Sequence, residues 1–511
     1  MGDLSRRSFL RGALVAGASL GAVGLVSGCS PQDANGSNSP EQVSTGDIRW
    51  DKEADVVIVG FGAAGSAAAI EATEAGSSVI IIEKSETGGG STALNGGFIY
   101  LGGTPLQEKL GVEDSADEMF KYLMAAGGEF ASEEAIRLIC DHSADTYEWC
   151  TKVGIKFPEV LDDGHVSHGR EGLGLTYTGN ERARGYRDIA KPAPRGHVAG
   201  ADGSGFFDPL KKSVEASGAE IVYKATADHL IVNEQGRVIG VQATYDGGLK
   251  NVKAAKAVIL AGGGFTNNEE MVFSNVPYMH KPGNPVTNPN EDGSCIKMGQ
   301  EIGADLFGMS NTQFGNSIYS VGEDACKGIL INANGRRFIA EDEYGSFVGE
   351  KIMQVGPRAY LITDSSLKGL FEAAGTEPLA QAETVEELAA MINVDPSSLS
   401  TTVSAYNGYA AAGVDGECGK EEKFLAPIET APFYAYDYSA SKCYYMTQGG
   451  LKVDVESRVY NAFGDVIPGL YAAGRASNIT YGHYMGSGTS MTDCFVFGRI
   501  AGQNASADSS W

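Results

Sequence analysis

Two short apolar runs set the pattern of the first part of the chain. Val56 to Val59 and Val79 to Ile82 contain no polar residue. Such a run reads as a strand buried on both faces rather than one that alternates between core and solvent. The alanine-rich segment between them, ending at Gly76, has the composition of a short helix. Helical periodicity returns from about Asp114 to Val153, with apolar positions at Met119, Tyr122 and Leu123 and again at Ile136, Leu138 and Ile139. From Ala219 the runs AEIVYKA, DHLIVNE, GRVIGVQATY and KAVILAGGGF predict a strand meander that brings the chain back to its first sheet. Between about Leu306 and Lys442 the pattern becomes mixed helix and strand with its own start and stop signals, which predicts an inserted second domain. The chain then returns through Gly449-Gly450 and Ile467 to Gly474, and ends in a helix from about Thr489 to Ala505. A fold built from both ends around an insertion places a cleft between two domains.

The first strand runs directly into Gly60-Phe61-Gly62-Ala63-Ala64-Gly65, and the second ends at Glu83. This strand–turn–helix–strand context makes the glycine spacing a dinucleotide-binding fingerprint. Gly60 permits the tight turn, Gly62 lets a pyrophosphate approach the backbone, and Gly65 allows close helix–strand packing. The pyrophosphate is expected on unpaired N–H groups at the helix N-terminus, where the macrodipole favours negative charge. Glu83 stands where an adenosine ribose would find an acceptor. Gly88-Gly89-Gly90-Ser91 and Gly96-Gly97 follow the second strand, where backbone must again come close to a flat ligand.

At 511 residues the chain is too long for one core and predicts two or three domains. A formal net charge of −26 argues against nucleic acid or an anionic membrane surface as partner. A local basic cluster at Arg182, Arg184, Arg187, Lys191 and Arg195 reads as a solvated face. Apart from Cys29, seven cysteines are scattered without a C-x-x-C, and seven histidines show no metal-ligand spacing. No metal is therefore expected; most cysteines read as small core residues, and electrons must travel on an organic cofactor. The N-terminus reads as an address. Ser5-Arg6-Arg7-Ser8-Phe9-Leu10-Arg11 resembles a twin-arginine export signal, and Val26-Ser27-Gly28-Cys29 resembles a lipobox with Cys29 as the lipidated residue. Residues 1–29 are thus expected to direct export, with a lipid anchor on the outer face of the cytoplasmic membrane or a periplasmic location. The polar stretch of residues 30–50 then serves as a flexible tether.

Larger pieces now carry a resemblance. The fingerprint with Glu83, the loop GGGST…NGG, AVILAGGGFTNN, NANGRRFIAEDEY, TQGGLKVD and VIPGLYAAGRAS…GSGTSMTDCFVFGRIAG together resemble the FAD-containing fumarate reductase / 3-ketosteroid dehydrogenase family from about residue 51 to 508. The resemblance implies an α/β two-domain flavoprotein. Its Rossmann-type FAD-binding domain lies in discontinuous segments (51–305 and 443–511), with an α+β substrate (cap) domain inserted at 306–442. It implies FAD contacts from Gly60, Gly62, Ala63, Ala64, Gly65, Glu83, Lys84, Gly90, Ser91, Thr92, Gly96, Gly97, Ala227, Gly262, Gly263, Gly474, Arg475, Gly488, Ser490 and Met491. Covalent members carry a histidine where this chain has Ser91, so the FAD is expected to be noncovalent. Arg475 replaces residues that contact the ribityl chain in relatives, and its role stays open.

The family moves a hydride between flavin N5 and a carbon β to an electron-withdrawing group, which calls for donors at the developing oxyanion and a proton donor for the α carbon. Fumarate reductases resemble R-F-x-x-E-x-x-x-R, whereas this chain has Gly345 at the last position of Arg337-Phe338-Ile339-Ala340-Glu341-Asp342-Glu343-Tyr344-Gly345. Their carboxylate clamp H-G-x-N-R is replaced by Tyr481-Gly482-His483-Tyr484-Met485. The ketosteroid dehydrogenase pattern fits better. Tyr344 falls one residue before the proton-transfer tyrosine of R-F-x-N-E-x-x-x-Y, and Tyr484-Met485-Gly486-Ser487-Gly488 matches Y-x-G-x-G, whose hydroxyl and second-glycine N–H hold the ketone oxygen. His483, Tyr481 and Ser487 are candidates to support these groups; Tyr319 and Tyr445 read as packing. The reading is an enone reductase or ketone dehydrogenase acting on an uncharged ring substrate, in a pocket without fixed positive charge. Alternatives are reduction of another unsaturated acid, with a quinone or other electron partner, and a non-catalytic FAD-holding electron carrier.

Overall fold

The computed structural model describes residues 48–165, 169–277, 283–480 and 482–511. The expected export signal and lipobox with Cys29, most of the expected tether and Tyr481 lie outside the described residues.

Strand β1 (Lys52–Val59) leads through the glycine turn into helix α1 (Ala63–Glu74), which returns to β2 (Val79–Ile82). Three short helices follow between residues 116 and 152, and then α2 (Ser204–Ser217) and β3 (Glu220–Val222). The meander is β4 (Thr226–Val232), β5 (Val238–Tyr245) and the long β6 (Gly248–Leu260). The parallel heart of the main sheet runs β3-β2-β1-β6 and is completed on the far side by β13 (Val466–Ala472). Only β4, β5 and the start of β6 pair antiparallel as a meander; the AEIVYKA run instead adds β3 in parallel beside β2. Every residue from Val56 to Val59 and from Val79 to Ile82 is buried, because one face of the strands packs against helices and the other, with Val57, Val59, Ile80 and Ile82, joins the core that includes Leu230, Val238 and Val241 of the meander.

Helix α1 is polyalanine-like for a packing reason. Its Ala64 and Ala68 lie against Gly498 and Gly502 of the C-terminal helix α4 (Thr489–Ala507), where even a methyl group would strike backbone. Two helices can approach this closely only through small residues.

Between them in sequence lie β7 (Thr312–Gly315), β8 (Ile329–Asn332), α3 (Gly345–Val355), β9 (Ala359–Thr363), β10 (Ala380–Ala382) and β11 (Phe433–Asp437). Strands β8, β9, β11 and β10 form a separate antiparallel sheet with an apolar cluster of its own around Ile329, Ile362, Leu399 and Tyr406. A second antiparallel pairing joins β7 to β12 (Tyr444–Thr447), and this short ribbon borders the cleft. The seven cysteines among the described residues are free; Cys140, Cys150, Cys295, Cys326 and Cys443 are buried, and Cys418 and Cys494 are partly so.

One reading of the basic cluster is corrected. Arg184 and Arg187 are exposed, but Arg195 is fully buried, with Asp114 taking its Nε (2.8 Å) and Nη2 (2.6 Å). It directly precedes the internal strand Gly196–Val198, so its side chain has nowhere to go but inward. A two-point bond to a carboxylate makes that burial tolerable.

Candidate functional site

The cleft begins at the C-terminal ends of β1, β2 and β6, where the strands stop and the glycine turns start. Its volume is about 510 Å³, within the range of small-molecule sites, roughly 300–1,000 Å³. At this end Gly62 caps α1 without any side-chain acceptor, so the first turn keeps backbone N–H groups aimed at the cleft. Thr92 braces the turn by accepting from Ala63 N (2.8 Å). Glu83 is buried; one carboxylate oxygen accepts from Phe61 N (2.8 Å) and the other from Ser85 N (2.7 Å). Each oxygen keeps further lone pairs for a ligand hydroxyl.

Lys84, Ala227, Gly90, Gly96, Gly262 and Gly263 border the same cleft, as do Gly60, Ala63, Ala64, Gly474, Ser490 and Met491. Two expected contacts do not. Gly65 is turned into the helix–strand interface against the Gly60 carbonyl, as its packing role requires. Gly97 gives its N–H to Asn95 Oδ1 (2.6 Å) and its carbonyl to Ala199 N (3.0 Å), so its backbone is spent on holding the loop.

Further along the wall stands a buried ion pair that sequence reasoning missed. Arg475 Nη2 donates to Glu291 Oε1, which also accepts from the Ser91 hydroxyl (2.6 Å). Arg475 Nη1 reaches Ser490 Oγ (3.3 Å). The remaining atoms, Glu291 Oε2 and Arg475 Nε, are buried and have no partner among the described residues. Unpaired buried polar atoms in a cleft wall are costly unless a ligand meets them. The uncapped helix N-terminus, the acidic residue at β2 and these orphaned atoms suit a dinucleotide with a polyhydroxy chain. Beneath Arg475, burial pushes the Asp493 carboxyl up to about 7.

At the other end the aromatic candidates come together. The rings of Tyr344 and Tyr484 stack with centroids 6.4 Å apart and planes 27° from parallel. Tyr484 and Gly488 border the cleft; Tyr344 does not. Its hydroxyl sits behind Ser487, 3.0 Å from Ser487 Oγ, and it is Ser487 that faces the cavity. Gln313 Nε2 approaches the same phenol (3.4 Å) and Ser346 Oγ (2.9 Å), and Asn180 Oδ1 takes Tyr344 N (2.5 Å). The loop Thr178–Glu181 locks Ser487 in turn: Ser487 N donates to Thr178 O (3.0 Å) and Thr178 Oγ1 to Ser487 O (2.9 Å).

Burial pushes the Tyr344 phenol well above its ordinary value of 10, and the neighbouring Tyr484 adds to the rise. Burial takes Tyr484 up to about 12, although the Thr489 hydroxyl, the Arg475 charge and Ser490 N–H oppose it. Both are therefore protonated hydrogen-bond donors at neutral pH. Gly488 opens α4 with φ +101°, and a Cβ there would lie 2.7 Å from Tyr100 N. Only glycine lets the helix start this close to the strand Phe98–Tyr100; the N–H groups of Thr489 and Met491 are taken by Gly486 O and Gly488 O, and it is Gly488 itself that borders the cleft.

His483 departs from expectation. It is half-exposed, pairs with Glu350 (3.2 Å) and does not border the cleft. Tyr484 is turned inward, and its neighbour faces out. Tyr319 and Tyr445 are buried, and Tyr445 leans on Thr266 O (3.5 Å). The missed aromatic is Tyr444, whose ring lies on the cleft face of β12, with Met446 on the same face and Tyr445 on the other. Burial raises its phenol, while Ser317 and Ser346 hydrogen bonds pull it down. The expectation of a wall without fixed charge is also corrected: Arg475 and Lys442 both border it. Arg475 is answered by Glu291.

A parallel sheet opening onto an uncapped helix, with a tyrosine-lined chamber beyond, defines a dinucleotide-dependent oxidoreductase. Residues 55–491 match the FAD binding domain family, and the chain belongs to it; it is an FAD-dependent oxidoreductase. It is 30% identical to a digoxin reductase of Eggerthella lenta, over 99% of this chain and 98% of that one. It is 32% identical to a urocanate reductase of the same organism, over 89% and 75%. Among solved structures, the 3-ketosteroid-delta4-(5alpha)-dehydrogenase of Rhodococcus jostii RHA1 in complex with 4-androstene-3,17-dione superposes with a TM-score of 0.84 at 36% identity, covering 91% of this chain and 99% of that one.

Proposed function

We propose that this oxidoreductase acts on the carbon–carbon bond next to a ring ketone, as an enone reductase or the corresponding dehydrogenase. One observation carries the reading. Tyr484, Gly488 and Ser487, the last backed by the Tyr344 hydroxyl, border the cleft together, with the Tyr484 hydroxyl held by Thr489 and Ser490 and the nearby Arg475 neutralised by Glu291. Neutral donors suit a ketone oxygen; a dicarboxylate would ask for unmatched arginines. The kinship with a ketosteroid dehydrogenase and a digoxin reductase supports the same substrate class.

The glycine turn, Glu83, Ser91, Glu291 and Arg475 would hold FAD, which supplies the hydride acceptor or donor. Ser91 offers no imidazole for a covalent bond, so the cofactor is held by contacts alone. Tyr484 and Gly488 bind the ketone oxygen and stabilise the negative charge it gathers. Ser487, backed by Tyr344, gives a proton to the α carbon or takes one from it. Residues 306–442 act as the cap over this chamber. The N-terminal motif supports export by the twin-arginine route and lipidation at Cys29, which membrane fractionation of wild type and Cys29→Ala would test.

The deciding experiment is anaerobic. Photoreduced holoprotein is mixed with ring enones and, separately, with urocanate, fumarate and acrylate. Recovery of the flavin band with the enones is the expected result. Recovery with the acids alone would replace this reading with unsaturated-acid reduction, and no recovery with any would leave a carrier.

A further inference from the structure

Three cations border the cleft: Lys84, Arg475 and Lys442. Two of them are spoken for. Lys84 pairs with Asp292 (2.7 Å) and Arg475 with Glu291. Lys442 is exposed and has no carboxylate within 4.0 Å among the described residues. In a chain of net charge −26, an unmatched lysine on a cleft wall is conspicuous. The positive end of an ammonium there raises the local concentration of anions against the prevailing field.

Its position relative to the other groups gives it meaning. Along β12 and the residues before it, Met446, Tyr444 and Lys442 all border the cleft, so one edge passes from thioether to phenol to ammonium. Thr447, at the far end of β12 from Lys442, accepts from Phe265 N (3.2 Å) and donates its N–H to Thr266 Oγ1 (3.0 Å), just beyond the cleft-lining Gly262 and Gly263. Lys442 is at the opposite end. Asn316, Ser317 and Ser320 also border the cleft, Ser317 beside the Tyr444 phenol. Asn316 is tied to Tyr438 O (3.1 Å), and Ser320 Oγ to Ser317 O (2.7 Å), so this collar is fixed rather than loose.

We infer that the cleft has a second recognition point at Lys442, which takes an anionic group, specifically a carboxylate, carried on the substrate at the end remote from its ketone. The inference rests on the proposed ketone chemistry and names the substrate class more closely: a ring ketone or enone with an acidic side chain. The reacting end meets hydroxyl and N–H donors beside an arginine already paired with Glu291, the middle meets Met446 and Tyr444, and the far end meets the ammonium with its hydroxyl collar. An ion pair at so exposed a site contributes modestly, about fivefold in binding.

The test uses FAD-loaded wild type, Lys442→Met and Lys442→Glu. Two ring enones are compared that differ only in a remote carboxylate or its methyl ester, and both kcat/KM and Kd are measured, the latter from perturbation of the oxidised flavin band. Wild type should favour the acid about fivefold, Lys442→Met should show a ratio near one, and Lys442→Glu should favour the ester. The wild-type preference should shrink at high salt. A ratio unaltered by either substitution, or no preference in wild type, overturns the inference. Weakened FAD retention in Lys442→Met also overturns it, since the lysine would then serve the cofactor. If neither enone turns over but the acid binds more tightly and loses that advantage in Lys442→Met, the subsite stands and the enone chemistry falls.

Discussion

The Tyr344 hydroxyl lies 3.0 Å from the Ser487 hydroxyl, and of the two only Ser487 borders the cleft. A serine hydroxyl both accepts and donates, so it can pass to the cavity a proton whose source is the phenol behind it. The phenol is buried and held far above its ordinary pKa, which keeps it loaded. Tyr344 thus acts through Ser487 rather than on substrate directly.

Tyr344→Phe should therefore lower kcat about 10²- to 10⁴-fold, the usual range for losing a positioned acid, with a smaller change in KM. Ser487→Ala should cost as much, and the double variant little more than either single one, because both remove the same route. Rapid-mixing rates of flavin reoxidation by an enone measure this. Additive losses would mean two separate roles.

Tyr484 faces the cavity itself, and its hydroxyl is already oriented by Thr489 and Ser490 N–H. Tyr484→Phe keeps the ring stacked on Tyr344 but removes the donor. The barrier should rise by about 2–4 kcal/mol, as for loss of one oxyanion donor. The loss should appear in kcat and kcat/KM alike, because the interaction strengthens as charge gathers on the ketone oxygen. An unchanged kcat would remove Tyr484 from the chemistry.

Glu291 and Arg475 form a pair within the wall, so removing one leaves the other buried and uncompensated. Glu291→Gln should destabilise the fold by about 3–5 kcal/mol and weaken FAD retention. The double variant Glu291→Gln/Arg475→Met should recover part of the stability, since no bare charge remains. Thermal unfolding and FAD titration of the apo protein check both. A double variant no more stable than Glu291→Gln would show that Arg475 is balanced by some other group.

The cofactor end was legible in sequence because its chemistry is local. A strand, three glycines and an acidic residue lie within Val56 to Glu83, and backbone geometry does the rest. The substrate end was legible only in part. Glu291 joins Ser91 and Arg475 across 200 and 184 positions, a meeting that only the sheet topology brings about. Tyr444 and Tyr445 are adjacent, and which of them faces the cleft is set by how β12 registers on β7. His483 failed for the same reason in reverse: it neighbours Tyr484 but points to Glu350 and solvent. Arg195 looked like one more surface charge because nothing nearby in sequence announces Asp114, 81 residues earlier.

His197 offers a prediction independent of the reaction. It is fully buried, edge-on against the Tyr147 and Phe157 rings, with Asp114 and Arg195 as the charged groups nearby. Its Nδ1 lies 2.9 Å from Arg195 O, and a carbonyl can only accept, so Nδ1 carries the proton. Nε2 then accepts from the Thr104 hydroxyl (2.7 Å). A second proton would break that bond and bury a charge. Burial accordingly takes the His197 pKa down to about 4 from 6.5. Because the unfolded chain binds a proton more readily, this residue's contribution is intact above pH 6.5 and is lost as pH falls through about 4. Its size is on the order of 3 kcal/mol. Denaturant unfolding of wild type should show that decline between pH 6.5 and 4, and His197→Gln, which cannot titrate, should be less stable at pH 7 but flatter over the window. Parallel curves for the two proteins would show that acid sensitivity in this range originates elsewhere.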